Sequence, residues 1–110
     1  MNWKKLGKIF TFNLINKDLL THASNPVAIN IQDDVFRIFF SGRNKDNKSS
    51  VGFVDVDIVK QNVKQITNNT IFKYGEVNSF YSHGVSIGNI YTVDEKKYML
   101  FMGWQVQDSQ

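Results

Sequence analysis

The fold is decided by residues 35–58, which read VFRIFFSGRNKDNKSSVGFVDVDI. Two β-favouring runs, Val35–Gly42 and Ser50–Ile58, flank a charged loop that is rich in Asn and Asp, the residues that turns prefer. In Val35–Gly42 the odd and the even positions both carry bulky side chains, which is typical of a strand covered on both faces. The stretch therefore predicts two successive strands, the first of them buried.

The same signals recur on either side of this stretch. Patterns of the β type occupy four further segments, Lys8–Ile15, Pro26–Ile31, Gly84–Val93 and Tyr98–Trp104. Short polar connections precede Val35 and Tyr98, as the turn of a hairpin would. Because strands follow one another without alternating helices, the sequence predicts one all-β, antiparallel domain over residues 1–110.

One segment, Ile58–Asn69, is ambiguous. Val59, Val63 and Ile66 could line a short helix, or the segment could be an irregular loop that leads into a weak strand near Lys64–Thr67. The weak strand is the interpretation that we favour.

Composition narrows the class of protein. The chain has 110 residues, 42% of them hydrophobic, which is enough for a packed core in one domain. It has no cysteine, so disulfides and Cys-type zinc sites are excluded. Its net charge is +3, and the basic residues are spread along the chain. This distribution is typical of solvated surface rather than of a nucleic-acid site.

The N-terminal residues bear on localisation. They begin basic but contain no long apolar run or small-residue cleavage site. The chain also has no run of about 18 apolar residues that would span a membrane as a helix. We therefore expect a cytoplasmic protein that does not bind a membrane.

Five segments occur together in an informative order and spacing: Trp3–Phe10, His22–Ala28, Phe36–Arg43 with Ser49–Val54, Gly75–Val85, and Tyr98–Trp104. Together they resemble the N-terminal part of five-bladed β-propeller proteins related to arabinanases, β-xylosidases and invertase-like enzymes. The resemblance extends over nearly the whole chain, but each segment alone would be a weak signal.

The resemblance implies propeller-blade-like sheets that make only part of a propeller. Five blades of roughly 40–50 residues need well over 200 residues, so this chain would supply about one and a half blades. A partial propeller leaves an unpaired strand edge and an uncovered apolar face. We therefore predict a homo-oligomer formed through exposed strand edges, with the strand near Ile9–Phe12 as the one exchanged.

The resemblance also implies that catalysis is lost. Active relatives carry an Asp before the Pro of the first inner strand, where this chain has Asn25, and an amide cannot accept a proton at neutral pH. A second Asp is common after the residue equivalent to Phe80, but here Tyr81 follows. The general-acid Glu of the family would lie beyond residue 110. We expect no catalytic residue, no metal and no cofactor.

The predicted function is that of a non-catalytic, glycosidase-like propeller fragment that serves as a carbohydrate-binding or assembly module. The residues that we expect to contact a ligand are Asn25, Arg43, Asn78, Tyr81 and His83. Amide hydrogen bonds and aromatic stacking would hold the sugar without cleaving it. Trp104 could also stack on a sugar, but we expect it in the core.

Two alternatives belong to other classes. One is a glycoside hydrolase whose active site forms between chains and recruits Asp55 or Asp57, which share a strand face. The other is a small nucleic-acid-binding β-barrel, which the number of predicted strands allows. Val51–Val56 is faintly similar to an RNA-reading strand, but the fold that carries such a strand needs two helices, which the sequence does not predict. The two aspartates would repel phosphate, so we do not expect nucleic acid as a partner.

Overall fold

The computed structural model describes residues 2–10 and 16–105. These residues form one six-stranded sheet and no helix. The strands are β1 (Thr21–Gln32), β2 (Val35–Arg43), β3 (Ser49–Asp57), β4 (Asn62–Ile66), β5 (Gly84–Val93) and β6 (Lys96–Trp104). The prediction of an all-β fold is confirmed.

The first four strands form an antiparallel meander. β2 pairs with β3 without interruption from Val35–Asp57 to Arg43–Ser49, whereas β1 pairs with β2 through several register shifts. β4 pairs with the second half of β3. After β4 the chain continues along the same edge of β3. The Val51 N–H donates to the Phe72 carbonyl at 2.8 Å, and the Ile71 N–H donates to the Val51 carbonyl at 2.9 Å. β3 is thus paired on both edges.

The last two strands form a separate hairpin, joined by a turn at Asp94 and Glu95. Both residues have positive φ, as a two-residue hairpin turn of this twist requires. β5 joins β3 at one point, the Ser49–Gly84 pair, and runs parallel to it. The sheet is therefore mixed, which corrects the prediction of an antiparallel domain. The reason is the connection of residues 67–83, which returns the chain to the end of the sheet where β3 begins.

The main core lies between the meander and the hairpin. Phe39, Val51, Val85 and Ile87 form a buried cluster. Partly buried side chains from β1, β3, the connection and β5 pack around this cluster: Val27, Ile29, Phe53, Phe72, Tyr81 and Ile90. The hairpin is held mainly by this apolar contact, because only one β-bridge links its backbone to β3.

The opposite face of the meander is covered by residues before β1. Leu19 is fully buried and fills a notch over Gly42 and Gly52, where an added Cβ would meet the Leu19 side chain at 2.8 and 2.7 Å. The Phe10 ring lies 5.8 Å from the Phe40 ring on the same face. Phe39 and Phe40 are both buried, so the prediction that β2 is covered on both faces is confirmed.

A partly buried ion pair links β2 to β3. The Arg37 guanidinium donates to both carboxylate oxygens of Asp55 at 2.9 and 3.0 Å and lies 4.0 Å from the centre of the Phe53 ring. The hydrogen bond to Asp55 raises the pKa of Arg37 above its ordinary value, so the guanidinium stays charged. The prediction that Arg37 pairs with a carboxylate is confirmed.

Two local predictions differ from the structure. The ambiguous segment forms β4 at Asn62–Ile66, which overlaps the predicted weak strand near Lys64–Thr67 and leaves no place for the helix. Lys8–Phe10 belong to no strand, although their apolar pattern predicts one. Phe10 instead packs on the face of β2 at Phe40. It does not extend the sheet there, because both edges of β2 are already paired, with β1 and with β3. Residues 11–15 of the predicted strand lie outside the described residues.

Two glycines of β5 provide a matched test of this fold. A Cβ at Gly84 would lie 2.3 Å from the Trp104 ring, whereas at Gly88 the nearest atom is 3.7 Å away. We expect Gly84→Ala to lower the free energy of unfolding by about 1–3 kcal/mol through overpacking. Gly88→Ala should change it by no more than about 0.5 kcal/mol. Urea denaturation measures both, and equal effects would contradict the contact between Trp104 and Gly84.

Candidate functional site

One end of the sheet gathers most of the polar candidates. Neighbouring strands pair there through a continuous row of Cα partners, namely Thr21, Arg43, Ser49, Gly84 and Trp104. We call this the upper end of the sheet. The segment before β1, the loop after β2 and the connection of residues 67–83 all meet at the upper end, whereas the short hairpin turns lie at the opposite, lower end.

Asn25 joins the two halves of the fold at the upper end. Its Nδ2 donates to the Ser86 hydroxyl at 2.9 Å, and the Ser41 hydroxyl bonds to the same oxygen at 3.0 Å. Ser86 and Ser41 are buried, while Asn25 remains exposed and has a φ of 52°. Asn tolerates this left-handed conformation better than most residues. The exposed amide therefore has a fixed position over a buried polar network.

Arg43 is part of this row, and His83 directly precedes its member Gly84. The His83 N–H donates to the Trp104 carbonyl at 2.9 Å, and the His83 carbonyl accepts from the Ser49 N–H at 3.2 Å. Its ring Nε2 is buried and has no hydrogen-bond partner among the described residues. Arg43 ends β2 and is half-buried. Both residues therefore border the upper end, and the Nε2 atom of His83 faces inward.

Tyr81 occupies a different setting from the one that a stacking residue needs. Its ring is packed against those of Phe72, Phe80 and Phe101 at centroid distances of 6.0, 4.9 and 6.0 Å. Phe80 is 59% exposed and is the open ring of this cluster. A sugar that stacked here would therefore meet Phe80 more readily than Tyr81. The exposure of Phe80 was not predicted, because no local signal distinguishes its ring from that of Tyr81 beside it.

Asn78 and Trp104 are the two remaining residues that the sequence singled out as able to contact a sugar. Asn78 is exposed in a turn of the connection, with a φ of 73°. Trp104 is buried over Gly84, which confirms the prediction that it lies in the core. The structure thus brings Asn25 and Arg43 to the upper rows of the strands, while Asn78, Tyr81 and His83 belong to the connection beside them.

Asp55 and Asp57 lie near the lower end and have structural contacts. Asp55 is held by Arg37, and the Asp57 Oδ1 accepts from the N–H groups of Val59 and Lys60 at 3.0 and 2.8 Å, which closes the turn into β4. Both residues are buried. Their carboxylates are therefore committed to the fold and lie away from the upper end.

A cleft of about 350 Å³ lies at the upper end and was not predicted from the sequence. It lies between the segment before β1, the loop after β2 and the connection, and its volume suits a small ligand. Its lining comprises Lys17, Asp18, Leu20, Asn44, Lys45, Asp46, Lys73 and Tyr74. We call it the lysine cleft. Its three lysines come from three distant segments, so only the tertiary structure brings them together.

Two kinds of site are not found in the part of the chain that the structure covers. Residues 2–10 and 16–105 contain no cluster of His, Asp and Glu able to hold a metal ion. Within the same residues, no helix has the length and apolar character needed to cross a membrane.

Comparison with known proteins gives two relatives. The chain is 37% identical over 107 residues to uncharacterized protein MT1551 of Mycobacterium tuberculosis strain CDC 1551 / Oshkosh and to uncharacterized protein Rv1502 of strain ATCC 25618 / H37Rv. The match includes 96% of this chain but 36% of each relative, so the chain spans about a third of their length. No protein family model and no solved structure matches the chain.

The network under Asn25 gives a testable result. Ser86→Ala removes the oxygen that Asn25 and Ser41 share, which leaves the buried Ser41 hydroxyl without its partner. We expect the free energy of unfolding to fall by about 1–3 kcal/mol. Ser82→Ala is the control, because no hydrogen bond of its hydroxyl occurs among the described residues, and it should change stability by less than about 0.5 kcal/mol. Similar urea midpoints for the two variants would exclude the network.

Proposed function

We propose that this chain is a non-catalytic, propeller-like carbohydrate-binding module that binds sugar at its upper end and assembles through β6. The observation that carries the proposal is the hydrogen bond between Asn25 of β1 and Ser86 of β5. β1 and β5 run in the same direction, since β1 is antiparallel to β2, β2 is antiparallel to β3, and β3 is parallel to β5. Two strands that run in the same direction and contact each other, one at the start of a meander and the other at the start of a hairpin, are what neighbouring inner strands of a propeller would require.

The spacing of the strands supports this architecture. β5 begins at Gly84, about 60 residues after β1 begins at Thr21, so one unit is a four-stranded meander with its connection. The β5–β6 hairpin is then the first half of a second unit. Since 107 residues are 36% of each mycobacterial relative, those proteins are about 300 residues long, with room for about five such units.

The chemistry of the upper end supports binding without hydrolysis. An exposed amide and nearby hydroxyl groups can exchange hydrogen bonds with sugar hydroxyls, and the open face of Phe80 can pack against the C–H face of a ring. Hydrolysis needs two carboxyl groups flanking the scissile bond. Asn25 carries an amide, and Asp55 and Asp57 are held by other contacts. Binding is therefore the activity that this set of groups supports best.

Asn25→Gly tests the sugar site. Glycine keeps the positive φ of this position but removes the amide. We expect the affinity for a neutral glycan selected from a glycan array to fall roughly 10-fold, the equivalent of about one hydrogen bond. The matched control is Gln61→Gly, which removes an amide from an exposed, positive-φ residue at the lower end. No array signal above background, or an equal loss in the control, would refute the sugar site.

The edge of β6 supports self-assembly. Tyr98–Met102 is an uninterrupted apolar run whose five side chains are all exposed, and β6 is the last strand of the sheet order. Alternation places Tyr98, Leu100 and Met102 on one face of the hairpin. Monomeric proteins usually protect such an edge with charges or a bulge. Here the lysines stand only at positions 96 and 97, where β6 begins.

A second copy of the chain fits this edge. An antiparallel pair of β6 strands centred on Leu100 would place Tyr98 of one copy opposite Met102 of the other and Lys96 opposite Trp104. The lysines of the two copies would then not face each other. The geometry therefore favours a two-fold symmetric dimer with a continuous sheet across both copies.

Light scattering tests this assembly. We expect a mass of twice 12.7 kDa for the purified chain, shifting to the monomer mass in Leu100→Lys, because a charge would be buried in the apolar contact. Val59→Lys is the control, since Val59 is also exposed but lies in the turn between β3 and β4. A mass of 12.7 kDa at every concentration would exclude the dimer.

A further inference from the structure

We propose that the lysine cleft binds the phosphate group of a phosphorylated sugar. The inference deepens the proposed function, on which it rests, because it names the class of carbohydrate that the upper end takes. Three features of the cleft point to this ligand: its shape, the kind of cation that lines it, and the carboxylates beside those cations.

The walls of the lysine cleft are fixed before any ligand arrives. On one side, Leu19 is locked in its glycine notch, and the N–H of Leu20 donates to the Arg43 carbonyl at 2.8 Å. On the other side, the Asn44 Oδ1 accepts from the N–H groups of Asp46 and Lys48 at 2.9 and 3.0 Å. A preformed cleft binds a ligand with less loss of conformational freedom than a mobile surface does.

The third wall is positioned by contacts around Tyr74. The ammonium groups of Lys48 and Lys73 lie 4.9 and 5.1 Å from the centre of the Tyr74 ring. The Lys73 Nζ also lies 3.5 Å from the Asp18 Oδ2, which holds the connection against the segment before β1. These contacts keep positive charge at the wall of the cleft.

The cations of the lysine cleft match phosphate. Lys17, Lys45 and Lys73 line it, and among the described residues Lys17 and Lys45 form no salt bridge. A lysine ammonium is a compact charge with three donors that can approach a tetrahedral anion from any side, whereas planar carboxylates are usually bound by arginine. The lining contains no arginine. Two ammonium groups are therefore left to bind an anion, and phosphate is the anion that they fit best.

The carboxylates of the lysine cleft point to the sugar. Asp18 is engaged by Lys73, but Asp46 lines the cleft without a salt bridge among the described residues. A free carboxylate would repel inorganic phosphate but would accept hydrogen bonds from the hydroxyl groups of a sugar attached to it. The combination of free ammonium groups and a free carboxylate therefore favours a ligand with both phosphate and hydroxyl groups.

Titration calorimetry on the whole chain tests the inference with glucose 6-phosphate, glucose 1-phosphate, ribose 5-phosphate, inorganic phosphate and glucose. We expect at least one sugar phosphate to bind more tightly than glucose, with an affinity that falls as salt is added. Lys17→Gln and Lys45→Gln should each weaken it roughly 10-fold. Lys60→Gln, which removes an exposed charge from the lower end, should leave it unchanged. If no sugar phosphate binds more tightly than glucose, or if Lys60→Gln has the same effect, the inference is wrong.

The Asp46→Asn variant distinguishes recognition of the sugar from recognition of the phosphate. It should strengthen the binding of inorganic phosphate and weaken that of the sugar phosphate, so changes of the same sign would overturn the role of Asp46. The proposed function can fail separately, because Asn25→Gly is measured with a neutral glycan. Suppose that a sugar phosphate binds in a lysine-dependent way but no neutral glycan binds. The sugar site at Asn25 would then be refuted, and the phosphate site in the lysine cleft would be supported.

Discussion

Strand β3 imposes the constraint on which the rest of the structure depends. Eight of its nine residues are buried, so every backbone N–H and C=O group along it needs a partner within the protein. β2 satisfies one edge over its full length. The other edge is shared among β4, residues 71–72 and the first residue of β5. This division forces the connection of residues 67–83 to pass along β3 and to deliver β5 beside it.

The same arrangement explains why the two ends of the sheet differ. The lower end has short hairpin turns, whose geometry leaves little room for anything but the turn itself. The upper end receives the three longer segments, and each carries polar or basic side chains: Asn16–Leu20, Asn44–Lys48 and Thr67–His83. A rigid sheet that holds variable segments at one end is a common way to build a binding surface. The proposed sugar site and the lysine cleft both lie on this surface.

Local patterns predicted the strands well, because alternation and turn residues act over a few positions. Val35–Gly42 and Gly84–Val93 lie within one residue of the observed strands, and the turn at Asp33 and Asp34 is where the polar signal predicts it. Phe10 misled the prediction, because apolar side chains outside a sheet can cover it as well as extend it. The parallel contact of Ser49 with Gly84 has no local signal at all.

The site was less predictable than the fold for the same reason. Arg43 could be singled out because it ends a predicted strand at a polar loop. Asn25 could be singled out only through the resemblance, which places it where active relatives carry an Asp. Ser86, however, is a small polar residue between Val85 and Ile87, and its partner Ser41 is 45 positions away. The lysine cleft combines residues 17, 45 and 73, so no window of sequence contains it. Tyr81 was expected to stack on a sugar, but its ring packs against Phe80 instead. An aromatic residue in a polar loop need not expose the face of its ring to a ligand.

Because a single bridge, Ser49–Gly84, links the β5–β6 hairpin to β3, the outer part of the hairpin is locally less stable than the meander. Gly84–Ile87 is buried, but from Gly88 to Phe101 the hairpin has few buried side chains on either face. Opening of the hairpin from its turn would therefore cost far less than separating β2 from β3. Amide hydrogens beyond Gly88 would exchange with solvent through such local opening, while those of β3 would exchange only when the whole meander unfolds. A strand that added to the edge of β6 would stabilise the outer half of the hairpin and so reduce this difference.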